Sequence, residues 1–161
     1  MTEVVTVGVI GGSGLYNLDG IQIVKEHNLE TPFGKPSAPV VEASLGGASF
    51  FFLPRHGKDH QFLPHEVNYR ANIYALKSLG VQNLVSVSAV GSLKEELPPT
   101  TMVMPDPFID WTKGGRQRTF FGEGIVGHVS VANPIEKGLQ DLLVEACQSA
   151  DVSHSRGGSY I

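Results

Sequence analysis

Three short segments of the chain carry residue types that bind small anions. The first is the glycine loop Gly11-Gly12-Ser13-Gly14, which follows the apolar run from Val4 to Ile10. In such a loop, backbone N–H groups at the end of a buried strand can surround a phosphate. The loop lacks the Gly-Lys-Ser/Thr ending of a Walker A loop, and Asn17 occupies the last glycine position of a dinucleotide-binding loop. Taken alone, the loop is equally well explained as a tight turn without a ligand.

The second segment is Pro54-Arg55-His56-Gly57, which follows the apolar run from Ala48 to Leu53. Arginine is the side chain best shaped to bind phosphate or carboxylate through two hydrogen bonds, and His56 adds another donor. The simpler alternative is a surface arginine in a salt bridge, beside a histidine that fixes a turn. By itself, this segment favours that simpler alternative.

The third segment covers residues 86–92 and contains hydroxyls such as that of Ser88, together with accessible backbone N–H groups. Its small residues would also suit a strand-to-loop transition that binds nothing. All three segments, however, lie at the C-terminal end of a predicted buried strand. Open α/β sheets bind their ligands at that edge. The three segments together therefore predict an anion site, which none of them predicts alone.

The histidines do not indicate a metal site. His56, His60 and His65 are close in sequence, and the first two have helical i, i+4 spacing. A glycine between them and a proline after them break a helix, and no H-E-x-x-H motif is present. His128 lies in a strand-like run and is expected to be half-buried. The basic residues at 114–118 are interpreted as a solvated or subunit-contacting loop.

Alternating strands and helices predict an α/β fold with a central sheet flanked by helices. The run from Val4 to Ile10 reads as a buried strand. Further strands are predicted at Ile21–His27, Val40–Leu45, Ala48–Leu53, Asn83–Ser88 and Met102–Met104. The third and fourth of these, with the helix between them, form a predicted β-α-β unit. A long loop runs from about Asp106 to Gly124, and loops of this length are often functional.

Two helices are predicted from periodicity and capping signals. The first begins after Pro64 and stops at Gly80. Its expected apolar face consists of Val67, Ala71, Tyr74, Ala75, Ser78 and Leu79. The second is expected to have Asn133 as its N-cap, Pro134 at its first position and Glu136 completing a capping box. Its expected apolar face consists of Leu139, Leu142, Leu143, Ala146 and Ala150.

Composition places the chain among ordinary globular proteins. It has 161 residues, with 41% hydrophobic and 17% charged residues, a net charge of −4 and a mean hydropathy of zero. This acidic balance argues against nucleic acid as a partner. A secretory signal and a membrane-spanning run are not expected. Cys147 is the single cysteine, which excludes a disulfide within the chain. We expect a cytoplasmic protein, with a nuclear location left open.

The motifs, in their order, closely resemble those of methylthioadenosine phosphorylases in the trimeric purine nucleoside phosphorylase family. The resemblance runs along essentially the whole chain. The matching segments are GVIGGSGLY at Gly8–Tyr16, TPFGKPS at Thr31–Ser37, the long motif at Pro54–Gly80, VSAVGSLKEE at Val87–Glu96, FIDWTKGGR at Phe108–Arg116 and GHVSVANP at Gly127–Pro134. Residues 97–101 and Pro107 depart from the family pattern. These departures affect the expected loop geometry and leave the three anion-binding segments unchanged. The fold that the resemblance implies is a nucleoside phosphorylase-like α/β fold with a mixed sheet.

The resemblance also implies an activity, which is phosphorolysis of a purine nucleoside, S-methyl-5′-thioadenosine above all, in purine and methionine salvage. It implies inorganic phosphate as co-substrate, no metal or organic cofactor, and a homotrimer. The implied phosphate-binding residues are Ser13, Arg55, His56, Ser88 and Ala89. The implied nucleoside-binding residues are Val90, Gly91, His60 and His128, the last of which would reach a neighbouring subunit's ribose.

The same resemblance implies that the purine-protonating acid lies beyond Ile161. Residues 1–161 are therefore expected to be the N-terminal portion of a single phosphorylase domain, truncated before the base-binding part and without a separate second domain. Methylthioinosine or general purine nucleosides stay open as substrates, because the deciding base contacts would lie in that other part. A non-catalytic, phosphate-binding fragment that pairs with a phosphorylase subunit is the alternative from a different class.

Overall fold

The structure of the chain is a computed structural model, and it describes residues 6–12, 14 and 18–161. The chain divides into two compact units. The first comprises Met1–Ala89 together with Gly115–Phe120, and the second comprises Val90–Gly114 together with Phe121–Ile161. The expectation of a single phosphorylase domain stays a prediction. No described helix combines the length and the apolar character that a membrane span requires.

The first unit is built on a mixed sheet and the helix that crosses it. Its described elements are β1 (Val7–Gly11), β2 (Gln22–His27), β3 (Val40–Leu45), β4 (Ala48–Pro54), α1 (Tyr69–Ser78) and β5 (Asn83–Ser86). The order of the strands in the sheet is β2-β3-β4-β1-β5. β3 runs antiparallel to β2 and β4, whereas β1 runs parallel to β4 and β5. The predicted α/β class with a mixed sheet is confirmed.

The predicted β-α-β unit is present as β4-α1-β5, with one addition. Its two strands are not neighbours, because β1 lies between them and pairs with both. β5 ends at Ser86, two residues earlier than predicted, which leaves Ser88 outside the strand ladder. The first residues of the predicted run from Val4 lie outside the described residues.

The core of the first unit lies on both faces of this sheet. On one face, Leu76 of α1 is 1% exposed and packs in a cluster with Leu53 and Val40. The opposite face holds a second cluster of Val41, Ala43 and Phe52. Neighbouring residues of β3 thus point to opposite clusters, as the two-residue repeat of a strand requires. Both faces of the central strands are buried, which explains their nearly continuous apolar sequence.

Helix α1 begins and ends where the sequence indicates, and its buried face agrees in part with the predicted one. The side chain of Asn68 caps the helix by accepting a hydrogen bond from Ala71 N at 3.1 Å. Tyr74 and Ser78, predicted to be inside, are exposed, whereas Asn72 and Leu76 are buried. The buried residues of the helix are Ala71, Asn72, Ala75 and Leu76.

Hydrogen bonds to Ser37 offset the free-energy cost of burying the amide of Asn72. Its Oδ1 accepts from Ser37 N at 2.8 Å, and its Nδ2 donates to Ser37 Oγ at 3.0 Å. Buried polar groups are tolerated when they are hydrogen-bonded in this way. The predicted face of α1 is thus confirmed at Val67, Ala71 and Ala75. It is wrong at Tyr74 and Ser78, and it omits the buried Asn72 and Leu76.

The second unit contains a small parallel pair of strands and one longer helix. Its elements are β6 (Met102–Met104), α2 (Lys137–Ser149) and β7 (His154–Arg156). The amide of Gln140, which is 2% exposed, connects them. Its Nε2 donates to Met104 O at 3.0 Å, and its Oε1 accepts from Arg156 Nε at 3.1 Å. β7 was not predicted.

The predicted start of α2 was wrong, and its predicted apolar face is confirmed only in part. Glu136, rather than Asn133, is the N-cap, and its carboxylate accepts hydrogen bonds from Gly138 N and Leu139 N. The helix begins later than expected because a carboxylate at this position serves the free N–H groups by itself. Of the predicted apolar face, Leu142 is 62% exposed. The predicted Leu139 and Leu143 are half-buried. The side chains turned inward that were not predicted are Gln140, which is buried, and Val144 and Cys147, which are half-buried.

The segment around His128 also differs from its prediction. Residues 126–130 form no strand, and His128 is exposed rather than half-buried. Its neighbours Val129 and Val131 are each 71% exposed. Alternating apolar residues indicate a strand only where a second strand supplies hydrogen bonds, and none of the described strands does so here.

The Glu136 cap leads to a pH-dependence prediction. Hydrogen bonds from Leu139 N and Gly138 N lower the pKa of this carboxyl from its ordinary 4.5. Because the folded state has the lower pKa, the cap stabilises α2 above the unfolded-state pKa. This stabilisation is lost as the pH falls through the lowered value. We expect protection of the Leu139 amide from hydrogen exchange, corrected for intrinsic rates, to fall across that acidic window.

Two variants separate the cap from other acid effects. Glu136→Ala should remove the pH-dependent step, since no titrating cap remains. Glu145→Gln, which changes another exposed carboxyl of α2, should preserve it. A step that survives in Glu136→Ala would contradict the assignment of Glu136 as the titrating cap.

Candidate active site

The strand order brings three chain segments to one edge of the sheet. β1 is central, and its parallel neighbours β4 and β5 end beside it. Just beyond these ends, Arg55 N donates to Gly11 O at 2.9 Å, and Val87 N donates to Ile10 O at 2.8 Å. Backbone hydrogen bonds thus hold the segments after β4 and β5 against the end of β1. The predicted convergence of three strand ends is confirmed.

A cavity of about 470 Å³ lies at this edge, and we call it the strand-end cavity. It is lined by Gly12, Gly14, Arg55, His56, His60, Val87, Ser88 and Ala89. Four of the five residues predicted to bind phosphate are therefore brought together. The fifth, Ser13, lies outside the described residues, although its neighbours Gly12 and Gly14 both line the cavity.

Arg55 links the second and third segments through its side chain. Its Nη1 donates to Ser88 Oγ at 2.7 Å, although the two residues are 33 positions apart. The side chain of Arg55 is half-buried. Among the residues that the structure describes, no carboxylate lines the cavity, so no described acid neutralises the guanidinium charge there. The cavity is therefore electrostatically suited to an anion.

His56 is held in one tautomer. Its Nδ1 lies 2.8 Å from Phe62 O, and a carbonyl oxygen only accepts, so Nδ1 carries the proton. Its Nε2 accepts a hydrogen bond from Arg55 Nε at 3.3 Å and so carries none. The lone pair of Nε2 is thus directed at the guanidinium of Arg55. The sequence predicts His56 as a hydrogen-bond donor to an anion, whereas its Nε2 is an acceptor in this arrangement.

His60 lies against His56 in a strained turn. The two rings stack with centroids 4.7 Å apart and an interplanar angle of 29°. The backbone φ of His60 is +55°, in the left-handed region that favours glycine. Strained positions of this kind cluster at functional sites. Residues 55–60 form turns rather than a helix, as expected from their glycine. Among the residues that the structure describes, no group of three or more His, Cys, Asp or Glu side chains could hold a metal ion.

The other predicted nucleoside-binding residues belong to the second unit. Val90 and Gly91 follow Ala89 directly in the chain and are exposed, Val90 to 58%. His128 is exposed as well. Their participation in a binding site stays a prediction.

The chemistry available in the strand-end cavity is the binding of an oxyanion by donors of different kinds. A guanidinium supplies a fixed charge and a fork of N–H groups, and a hydroxyl supplies an adjustable donor. Backbone N–H groups at the strand ends add to these. Such a set matches the several oxygens of a phosphate group.

The comparisons with known proteins all point to one family. A model of the Phosphorylase superfamily matches residues 6–161. A curated S-methyl-5′-thioadenosine phosphorylase from Geobacter sulfurreducens is 52% identical over 155 residues, which cover 96% of this chain and 54% of the relative. An S-methyl-5′-thioadenosine phosphorylase from Thermofilum pendens is 48% identical over 159 residues, which cover 99% of this chain and 60% of the relative. The chain thus spans about half the length of the curated relatives that it matches.

Solved structures give the same result. A methylthioadenosine phosphorylase from an antarctic soil metagenomic library aligns with a TM-score of 0.88 and 47% identity, over 97% of this chain and 54% of that chain. A Schistosoma mansoni methylthioadenosine phosphorylase in complex with adenine aligns with a TM-score of 0.86 and 36% identity, over 96% and 61% of the two chains. The enzyme from the same organism has also been solved in complex with tubercidin, with a TM-score of 0.87 and 35% identity over 96% and 63%.

Proposed function

The chain belongs to the phosphorylase superfamily, and from this premise we propose that its strand-end cavity holds inorganic phosphate for the phosphorolysis of a purine nucleoside. The observation that carries the proposal is the hydrogen bond from Arg55 Nη1 to Ser88 Oγ at 2.7 Å. It joins two predicted phosphate ligands across one cavity whose described lining holds no carboxylate. A salt-bridged surface arginine would face a carboxylate instead.

In this proposal, each phosphate ligand has a distinct task. Arg55 supplies charge and two N–H groups of its fork, while Ser88 turns its hydroxyl hydrogen toward a phosphate oxygen. The backbone N–H of Ala89 and the hydroxyl of Ser13 complete the set. His56 contributes through Nε2, which accepts from a phosphate O–H or, once protonated, donates to a phosphate oxygen.

The proposed reaction gives phosphate two roles. As the N-glycosidic bond breaks, its electron pair leaves with the purine, which takes up a proton, and the ribose gains oxocarbenium character. A phosphate oxygen then forms the new bond to the anomeric carbon. Held beside that carbon, the dianion is both the nucleophile and the charge that stabilises the cation. The protein's contribution is mainly positioning, which by itself lowers such barriers substantially.

We propose S-methyl-5′-thioadenosine as the substrate, with adenine and 5-methylthioribose 1-phosphate as products. The names of the curated relatives support this choice. Val90 and Gly91 would contact the nucleoside, with His60 at the cavity edge and His128 reaching the site of a neighbouring subunit in a homotrimer. The proposal requires no metal or organic cofactor and places the protein in the cytoplasm. It assigns no purine-protonating acid among residues 1–161.

A chimera tests the proposed function. The chain is fused to the remaining C-terminal part of the Geobacter sulfurreducens relative, which is 52% identical over the shared region. Adenine release is measured with S-methyl-5′-thioadenosine, with and without phosphate. We expect turnover that requires phosphate and falls by about 100-fold in Arg55→Ala, because a charged donor to the reacting group is lost. S-methyl-5′-thioinosine and inosine, assayed in parallel, test the choice of substrate.

Adenine binding by the chimera serves as the folding control. A chimera that binds adenine but releases none from the nucleoside in the presence of phosphate would contradict the proposal. Faster turnover of inosine than of S-methyl-5′-thioadenosine would contradict the substrate assignment alone.

A further inference from the structure

A second cavity of about 270 Å³ lies elsewhere in the first unit. It is formed by residues 65–70, at the start of α1, together with Phe33 and residues 115–117. It shares no lining residue with the strand-end cavity. Two arginines, Arg70 and Arg116, line it and bring two positive charges to the cavity.

Arg70 has a donor group without an acceptor. Its guanidinium carbon lies 4.8 Å from the centroid of the Phe33 ring, and its Nη1 donates to Thr119 O at 3.4 Å. Its Nε is enclosed by protein and has no hydrogen-bond partner. A buried N–H without an acceptor is costly, and native structures contain few of them. An acceptor supplied by a ligand would remove that cost.

Arg116 is positioned by an aromatic ring rather than by a carboxylate. Its guanidinium carbon lies 5.5 Å from the centroid of the Tyr69 ring. The described residues offer it no ion pair, in contrast to Arg156, which pairs with Asp141. Stacking on an aromatic face leaves the edge of a guanidinium, with its N–H groups, open to a ligand.

The remaining polar groups around this cavity favour the same kind of ligand. His65 and Gln117 line it as well, and both are exposed. The acceptors, by contrast, are partly occupied. Asn68 Oδ1 accepts from Ala71 N, and Glu66 Oε2 accepts from Leu63 N. Within the described lining, Glu66 is the single carboxylate, against two guanidinium groups. Unused donors and a net positive charge therefore remain.

We propose that this cavity is a second oxyanion site, at which Arg70 and Arg116 bind a phosphate or carboxylate group. The guanidinium groups of Arg70 and Arg116 are its principal donors, and Phe33 and Tyr69 hold the two guanidinium planes in place. Gln117 adds a neutral donor. A cation is excluded by the two arginines, and a purely apolar ligand would leave the Nε of Arg70 without an acceptor.

Counting phosphate equivalents tests this site. Equilibrium dialysis of the 161-residue chain against inorganic phosphate should give two equivalents per chain. Arg116→Gln should weaken one of them by about tenfold or more, since a charge-assisted hydrogen bond is lost. Arg55→Ala should remove the other one. Arg118→Gln, which makes the same charge change at an exposed residue outside the cavity, should leave both unchanged.

A second measurement, by NMR, does not depend on whether the Arg116 variant folds. In the Arg55→Ala chain, the Nε–H resonance of Arg70, assigned with Arg70→Lys, should shift on titration with millimolar phosphate. Sedimentation distinguishes the source of the oxyanion. If the wild-type chain self-associates, and Arg116→Gln but not Arg118→Gln reverses this, the oxyanion is a carboxylate of a second copy, which also supports the site.

One combination of results would overturn the inference. In it, Arg116→Gln leaves both phosphate binding and self-association unchanged, and phosphate does not shift the Arg70 resonance. Loss of the Arg55-dependent equivalent alone would count against the proposed function and not against this site, so the two proposals fail separately.

Discussion

Replacing Arg55 with alanine is expected to weaken phosphate binding at the strand-end cavity by roughly 100-fold, or about 3 kcal/mol. The side chain supplies the fixed charge among the residues that line this cavity, and its Nη1 is already oriented by Ser88 at 2.7 Å. Removing it deletes two charge-assisted hydrogen bonds to phosphate and leaves no cation to replace them. Isothermal titration with inorganic phosphate measures the loss.

Three further variants make the result specific. Arg55→Lys keeps the charge but loses the fork, so its affinity should lie between those of the wild type and Arg55→Ala. Ser88→Ala removes one neutral hydroxyl and should cost about 1 kcal/mol, or roughly fivefold. Lys58→Ala removes a positive charge three residues away, on an exposed side chain that does not line the cavity. Equal losses in Lys58→Ala and Arg55→Ala would show general electrostatic attraction and contradict a built site.

The convergence of the site could be predicted from sequence because it depends on a local rule. Arg55 and Ser88 each follow a buried strand, and parallel strands end at a common edge. The number of strands between them could not be predicted, because β1 pairs with β4 and β5 through contacts distant in sequence. The hydrogen bond that fixes the acceptor role of His56 Nε2 likewise depends on the turn geometry of residues 55–60.

The errors in the helices have two physical origins. Periodicity assigns buried positions to apolar residues, yet Asn72 and Gln140 are buried because each finds hydrogen-bond partners in distant segments. Capping preferences likewise favour Asn133 over Glu136, although the longer carboxylate reaches two N–H groups here. Tertiary partners decided the burial of Asn72 and Gln140, and a single sequence does not reveal them. The Glu136 cap is local, and it was missed because glutamate is a less common N-cap than asparagine.

The second cavity illustrates the same limit at the level of function. The arginine at position 116 belongs to a short basic segment that the sequence interprets as a solvated or subunit-contacting loop. Its contact with Tyr69 joins residues 47 positions apart, and that of Arg70 with Phe33 joins residues 37 apart. No local pattern encodes a guanidinium that stacks on a distant ring, so a binding site of this kind emerges only from the folded chain.

The largest loss of stability is expected from Leu76→Ala. This side chain is 1% exposed and packs with Leu53 and Val40 between α1 and the sheet. Truncation loses the transfer free energy of the removed atoms and leaves a cavity that the strands cannot collapse into. We expect the free energy of unfolding of the first unit to fall by about 3 kcal/mol. Hydrogen exchange of the β1 and β4 amides reports this unit specifically.

The same helix provides the control, and the site provides a second readout. Ile73→Ala truncates a side chain of the same size in α1 that is 36% exposed, and it should cost about 1 kcal/mol or less. Because α1 connects β4 to β5, loosening its packing should also weaken the alignment of Arg55 with Ser88. Phosphate, in turn, should restore part of the lost protection, since a ligand that binds the folded state stabilises it. Equal losses of protection in the two variants would contradict the assignment of Leu76 to the core that supports the site.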